Sequence, residues 1–322
     1  MTRFGPTMLA AGLLGMALGA VRPAMAQEHE RTVDVAQDAV APASQAEASE
    51  NQIDIVHHIG NAHEIEVPFG VIHLPRWEPI HIGGLAIDLS PTKHLVFMLG
   101  SAILVALVFL FTARSVARAQ AQGKPAKGFA GSMEAMALYI RQEVVLPNVG
   151  HHGEGFAPYL LTLFFFILVM NILGLLPWGA TATGNIAVTA ALALMAFITI
   201  EVAGMRALGL KGYLSTIFYL PPGLPGPLKP IMLVIMTPVE IIGKLSKPFA
   251  LAVRLFANMT AGHVLVLALI GLTFLFQSYL VGAAAAVLAT GIMLLELFVA
   301  FLQAFVFTLL TSVFIGLMRA EH

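Results

Sequence analysis

Glu240, Lys247, Arg254 and Ala261 recur every seven positions within a long apolar stretch, so on a helix they share one face. Asn258 lies one turn beyond Arg254. An arginine at the centre of a bilayer costs roughly 3 to 15 kcal/mol, so it is kept there for a reason. A guanidinium is always charged and cannot itself shuttle protons. Its expected role is therefore to face an anion. Small residues surround it (Ala250, Ala252, Ala257, Ala261 and Gly262), which lets another helix surface come close. No acid of this chain is an obvious permanent partner on that face at that depth, so the anion is expected from another subunit.

A second group sits across a turn. His263 lies nine residues beyond Arg254, about 180° round the wheel, and so points elsewhere. A fold near residue 279 pairs positions whose numbers sum to roughly 558. His263 then falls opposite Glu296, and Arg254 opposite Gln303. Glu296 and Gln303 are seven apart and share a face. A buried carboxylate beside an imidazole can hold and exchange a proton near neutral pH. Blander readings stand beside these: a lone intramembrane His or Gln often makes only a helix–helix hydrogen bond. Glu240 and Lys247 fit interfacial charges snorkelling outward.

The elements that must position these groups follow from composition. Of 322 residues, 58% are hydrophobic and 11% charged, which excludes an ordinary soluble domain. Apolar runs of spanning length recur from about His94, so the fold class is an all-α polytopic membrane protein. The absence of cysteine excludes disulfides, thiolate catalysis and Cys-ligated metals. No basic patch reads as nucleic-acid binding.

One upright helix is expected from His94 to Ala113. Arg114, Arg118, Lys124 and Lys127 follow it and place that end in the cytoplasm. In "GSMEAMALYIRQEVVLPNV" (Gly131 to Val149), Met133, Met136, Ala137, Ile140 and Val144 form one apolar stripe. That rhythm predicts an amphipathic helix lying on the cytoplasmic surface. A transmembrane hairpin follows, from about Pro158 to Leu176 and from Asn185 to Met205, with an uncharged external connector, "PWGATATG". Arg206 and Lys211 mark the return to the cytoplasm.

After the break "PPGLPGPLKP", two long helices are expected, from Leu228 to Leu275 and from Tyr279 to Met318. They turn back on each other at Gln277 and Ser278, and the first is bent at Pro248. At 1.5 Å per residue they measure roughly 70 and 60 Å. A hydrocarbon core is only about 30 Å thick, so both must tilt steeply and present a flank to a neighbour. Arg319 leaves the C-terminus on the cytoplasmic side.

The N-terminal quarter reads separately. Residues 1–26 have Arg3, a short apolar core and "AMA", fitting a signal peptide cleaved before Gln27; an uncleaved anchor is the alternative. Either way, the next segment starts outside the cytoplasm. Residues 27–93 are expected to be an extracytoplasmic segment, acidic at first and then His-containing and flexible. The run "HHIGNAH" (His57, His58, His63), with His73 and His81, offers imidazoles. There is no HExxH, and the Pro/Gly-rich context reads as an extended docking segment instead of a metal site.

"LSKPFALAVRLFANMTAGH" (Leu245 to His263), "LQAFVFTLLTSVFI" (Leu302 to Ile315) and "MNILGLLP" (Met170 to Pro177) together resemble subunit a of the F-type ATP synthase membrane sector. The likeness covers residues from about 90 to the end, the membrane domain of 94–322. It implies a non-catalytic, proton-conducting stator subunit of a bacterial inner membrane, without cofactor or metal. Implied partners are the c-ring, b-type stalk subunits, the catalytic F1 sector and the lipid bilayer. By the same resemblance, Arg254 is the stator arginine facing the rotor carboxylates. Asn171, Asn258, His263, Glu296 and Gln303 line the inlet half-channel, and Glu240 lies near the cytoplasmic exit. Two departures stand out. Many relatives have an acid after "AG" and a histidine on the last helix, whereas this chain has His263 and Glu296. Gly174 stands where many have an acid.

Two rivals fit less well. A self-contained secondary transporter predicts inverted repeats and broken-helix pairs, and no internal repeat is present. An intramembrane enzyme predicts nucleophile or metal motifs that this sequence lacks.

Overall fold

The computed structural model describes residues 64–67, 70–77, 80–82, 85–87, 90–150, 153–176, 179, 181–218, 225 and 228–320. The signal-like segment, the acidic arm and His57, His58 and His63 lie outside the described residues.

The described residues are mostly helical, and among them five helices are long and apolar enough to cross a membrane. Ahead of these, four short strands are described, β1 (Glu64–Val67), β2 (Gly70–His73), β3 (Ile80–Ile82) and β4 (Leu85–Ile87). They pair antiparallel as β1–β2 and β3–β4, with Glu64 opposite His73 and Ile80 opposite Ile87. Two short hairpins thus stand within the stretch 27–93. His73 Nδ1 stands 3.2 Å from Glu64 Oε1 on an exposed face.

Helix α1 (Lys93–Ala121) starts at Thr92, whose hydroxyl accepts from the Leu95 amide. It stops where Gly123 takes φ +65°, a conformation glycine adopts without strain. Helix α2 (Gly128–Tyr139) continues through π turns at Ile140–Val145 into the short α3 (Leu146–Val149). Of the expected stripe, Ile140 and Val144 are buried and Met133, Met136 and Ala137 are half-buried against the same core; Val145 and Val149 join them. Arg319 Nη1 donates to the Val149 carbonyl at 3.1 Å, fastening the far end of the chain to this segment.

Helix α4 (Ala157–Gly174) opens with Pro158 and is the most buried of the spans. Phe164 packs edge-on to Phe165 and to Phe301 of the last helix, with ring centroids 5.0 and 5.8 Å apart. Helix α5 (Ile186–Ile217) is capped by Asn185, whose Oδ1 accepts from the Ala187 amide at 2.9 Å. It runs past the expected end at Met205. Gly209, at φ +71°, breaks its helical dihedrals, so α5 has two limbs.

The last two helices are α6 (Lys229–Phe276, 48 residues) and α7 (Tyr279–Ala320, 42 residues). Both begin and end within two residues of the expected limits. As expected, α6 is one long helix running through Pro248, and it also contains Pro238. Gln277, at φ 46° and ψ 30°, terminates it in the left-handed region and turns the chain into α7.

Candidate functional site

Only five residues of α6 are buried: Lys244, Leu251, Ala252, Leu255 and Met259. They form one seam at intervals of seven and four residues, and that seam packs on α5 and α7. The rest of this long helix is half-buried or turned outward. Its outer flank is apolar at Val234, Val239, Ile242 and Phe249, each more than half exposed. In water such a surface would be costly, so it is a surface for lipid or another subunit.

Arg254, Ala257, Asn258 and Ala261 all lie exposed on this flank. Small residues, Ala257 and Ala261, stand exposed beside the arginine. Glu240 is half-buried two heptads before Arg254. Lys247 is exposed, and its Nζ sits 5.0 Å from the ring centroid of Phe314 on α7, a cation–π contact.

The inner residues gather at the α6–α7 contact. A methyl group on Gly262 would lie 2.7 Å from Glu296 Oε1, so the carboxylate rests directly on that glycine. The two numbers sum to 558, the register expected from folding the hairpin at its turn. Glu296 is buried, and its Oε1 has no hydrogen-bond partner among the described residues. His263, the next residue along α6, is half-buried. Gln303 is buried one heptad beyond Glu296, while Arg254 is exposed, and no hydrogen bond joins those two among the described residues. The hairpin register thus holds at Glu296, while Arg254 and Gln303 occupy different environments.

Asn171 is fully buried and joins three elements. Its Nδ2 donates to the Ala300 carbonyl of α7 at 3.2 Å, and its Oδ1 accepts from Thr183 Oγ1 at 2.7 Å. Thr183 belongs to the connector between α4 and α5. Thr181 of the same connector donates to the Gly174 carbonyl, and its own carbonyl lies 3.1 Å from His94 Nδ1. The connector packs so closely on Gly174 that a Cβ there would overlap Thr181. An acidic side chain has no room at that position, which is a physical reason for the glycine.

One buried polar cluster was not anticipated from the sequence. Glu201 of α5 accepts a short hydrogen bond from the Tyr213 hydroxyl and lies 3.8 Å from Lys244 Nζ. That ammonium also donates to Thr216 Oγ1 at 3.0 Å and sits over the Tyr213 ring. The available signal was an acid inside an apolar span and a lysine outside the heptad of Glu240 and Arg254. Among the described residues, no group of three or more His, Asp or Glu is arranged to hold a metal.

These features define a polytopic helical membrane protein in which a 48-residue helix buries only five of its residues and carries an exposed arginine near its centre. Comparison with known sequences narrows the class. Residues 95–316 match the family model described as ATP synthase A chain. The chain is 45% identical over 273 residues to "ATP synthase subunit a" of Chloroherpeton thalassium, covering 84% of this chain and 78% of that protein. It is 49% identical over 271 residues to "ATP synthase subunit a 2" of Chlorobium luteolum, covering 83% and 76%. The corresponding protein of Myxococcus xanthus is 44% identical over 278 residues, covering 79% and 88%. The chain belongs to the ATP synthase A chain family.

Proposed function

We propose that this chain is the stator of a rotary ATP synthase membrane sector and conducts protons between two half-channels at its contact with a rotor of carboxylate-bearing helices. The observation that carries the reading is the α6 flank, with Arg254 exposed midway along a 48-residue helix that buries only five of its residues. A permanent cation in that position needs an anion close by, and the acid of α6 on that face, Glu240, stands two heptads away. A rotor carboxylate arriving through the membrane plane meets the need.

In this reading, α6 and α7 lie steeply tilted around the rotor. The α2–α3 segment lies at the cytoplasmic surface, and the C-terminus is cytoplasmic. A proton enters from the outer side past Asn171, Gln303, Glu296 and His263, with Asn258 at the rotor end of the inlet. It neutralises a rotor carboxylate, which then turns into lipid. After nearly a full turn the proton leaves near Glu240, and the anion passes Arg254. At about 4 Å and an effective dielectric near 20, this attraction is roughly 4 kcal/mol. A membrane potential supplies about 2.3 kcal/mol per charge per 100 mV. A dry, permanent pair would stall the rotor, so the contact is hydrated and loose. The open, small-residue surroundings of Arg254 suit that. Stalk subunits and a catalytic sector complete the complex, and the chain itself performs no hydrolysis.

The test is a crosslink made in this cysteine-free background. Ala257→Cys and Ala261→Cys should crosslink to cysteines placed beside the rotor carboxylate. Cysteines at Gly271, more than two turns further along α6, should react with rotor positions nearer the outer surface. Efficient crosslinking of the rotor to α1 in place of α6 would refute the reading.

A further inference from the structure

The seam that holds α6 against its own chain is apolar at Leu251, Leu255 and Met259 and charged at a single position, Lys244. That lysine lies ten residues before Arg254, about 15 Å along the helix axis. Its ammonium contacts Glu201 at 3.8 Å, Thr216 at 3.0 Å and the face of the Tyr213 ring. Glu201 precedes the Gly209 break in α5, while Tyr213 and Thr216 follow it. One side chain of α6 therefore grips both limbs of α5. The Tyr213 hydroxyl donates to the same carboxylate, so Glu201 is fixed from two directions.

An apolar seam alone resists separation better than rotation, because neighbouring ridge-and-groove registers of two helices are close in energy. A buried ion pair with fixed donors has one geometry, and slipping out of it leaves a charge unpaired in a poorly hydrated place. Rotation of α6 about its axis carries Arg254 around the flank, away from the line of the rotor carboxylates. The rotor supplies the force for that rotation, because every passing anion pulls the guanidinium sideways. We propose that Lys244 and Glu201 are positioning residues that fix the azimuth of Arg254 against the pull of the rotor. This inference rests on the stator reading of Arg254.

The experiment uses the assembled synthase in inverted membrane vesicles. Ala257→Cys is crosslinked to a cysteine scan of the rotor helix, and proton-driven synthesis is expressed per assembled complex. In the parent, crosslinking should peak at one or two rotor positions. Lys244→Met should spread the crosslinks over neighbouring positions and lower turnover per complex by about tenfold to a hundredfold, the scale of ångström-sized misplacement. Lys244→Arg should restore the peak and most of the turnover. The exchanged pair, Glu201→Lys with Lys244→Glu, should do better than either single exchange. A purely structural role predicts fewer complexes with unchanged turnover and an unchanged crosslink peak, and that result would overturn the proposal. A parent in which Ala257→Cys reaches no rotor position would remove the stator reading, and this inference with it.

Discussion

Substituting Gly262 by alanine probes the inlet side of the hairpin with a single methyl group. The added carbon would stand 2.7 Å from Glu296 Oε1, 2.8 Å from Cδ and 3.2 Å from Cγ. Carbon atoms pack best at about 3.5–4.0 Å, so the carboxylate must retreat by several tenths of an ångström or the helices must part. Glu296 is only 6% exposed, which leaves it little space for the move. Overpacking of this kind costs about 1–3 kcal/mol. If the displaced carboxylate is the one that hands on protons, that cost appears in the rate as a loss of roughly 5- to 150-fold.

The assay is proton-driven ATP synthesis per assembled complex, with Gly271→Ala on the same helix as control. Nothing lies within 4 Å of a Cβ at Gly271, so that change should be neutral or slightly stabilising. The two effects at the contact should also be coupled: in a Glu296→Asp background, shorter by one methylene, Gly262→Ala should cost less than in the parent. Equal activities of Gly262→Ala and Gly271→Ala would refute the packing argument and the placement of Glu296 together.

Three further outcomes follow from the same contacts. Asn171→Leu strands the buried Thr183 hydroxyl, at about 1–3 kcal/mol, and removes a second donor from the Ala300 carbonyl of α7, so it should lower the thermal inactivation midpoint of the complex. Gly316→Ala places a methyl group onto the Asn148 main chain, which cannot swing aside, so assembled complex in membranes should fall far more than for Gly291→Ala, where space is open. The exchange His263→Glu with Glu296→His should recover more proton-driven synthesis than either single exchange; a double variant no better than the product of the two singles means that the residues act independently.

The lengths of α6 and α7 and the hairpin register were legible because they rest on periodicity and on counting from a turn, whereas α1 runs eight residues past its expected end at Ala113. The sum of 558 needs only an antiparallel pair and equal rise, and Gly262 meets Glu296 at that sum. The stripe from Met133 to Val144 was legible for the same reason. The continuation of α5 past Met205 was not, because Arg206 and Lys211 look like a cytoplasmic boundary. The helix instead continues beyond them, broken at Gly209. The strands within residues 64–87 were hidden because Pro and Gly mask runs only three or four residues long. The Glu201–Lys244 cluster escaped because its members are far apart in sequence and no period links them. Opposite charges inside apolar runs identify candidates for such a pair without telling which will meet. Arg254 and Gln303 were expected face to face from depth alone. Depth fixes the level along the axis but not burial: Gln303 is buried and Arg254 exposed.

The central claim is that Arg254 meets a rotor anion and separates two proton paths. It is tested most directly by Arg254→Ala in membrane vesicles, with ATP synthesis, ATP-driven proton pumping and passive proton leak measured on one preparation. The expected result is normal insertion and assembly, no coupled synthesis or pumping, and a raised passive leak once the guanidinium no longer blocks direct transfer between the half-channels. Arg254→Lys should also fail to couple, because a compact, strongly hydrated ammonium does not reproduce the planar fork. Coupled synthesis at the parental rate in Arg254→Ala would contradict the claim.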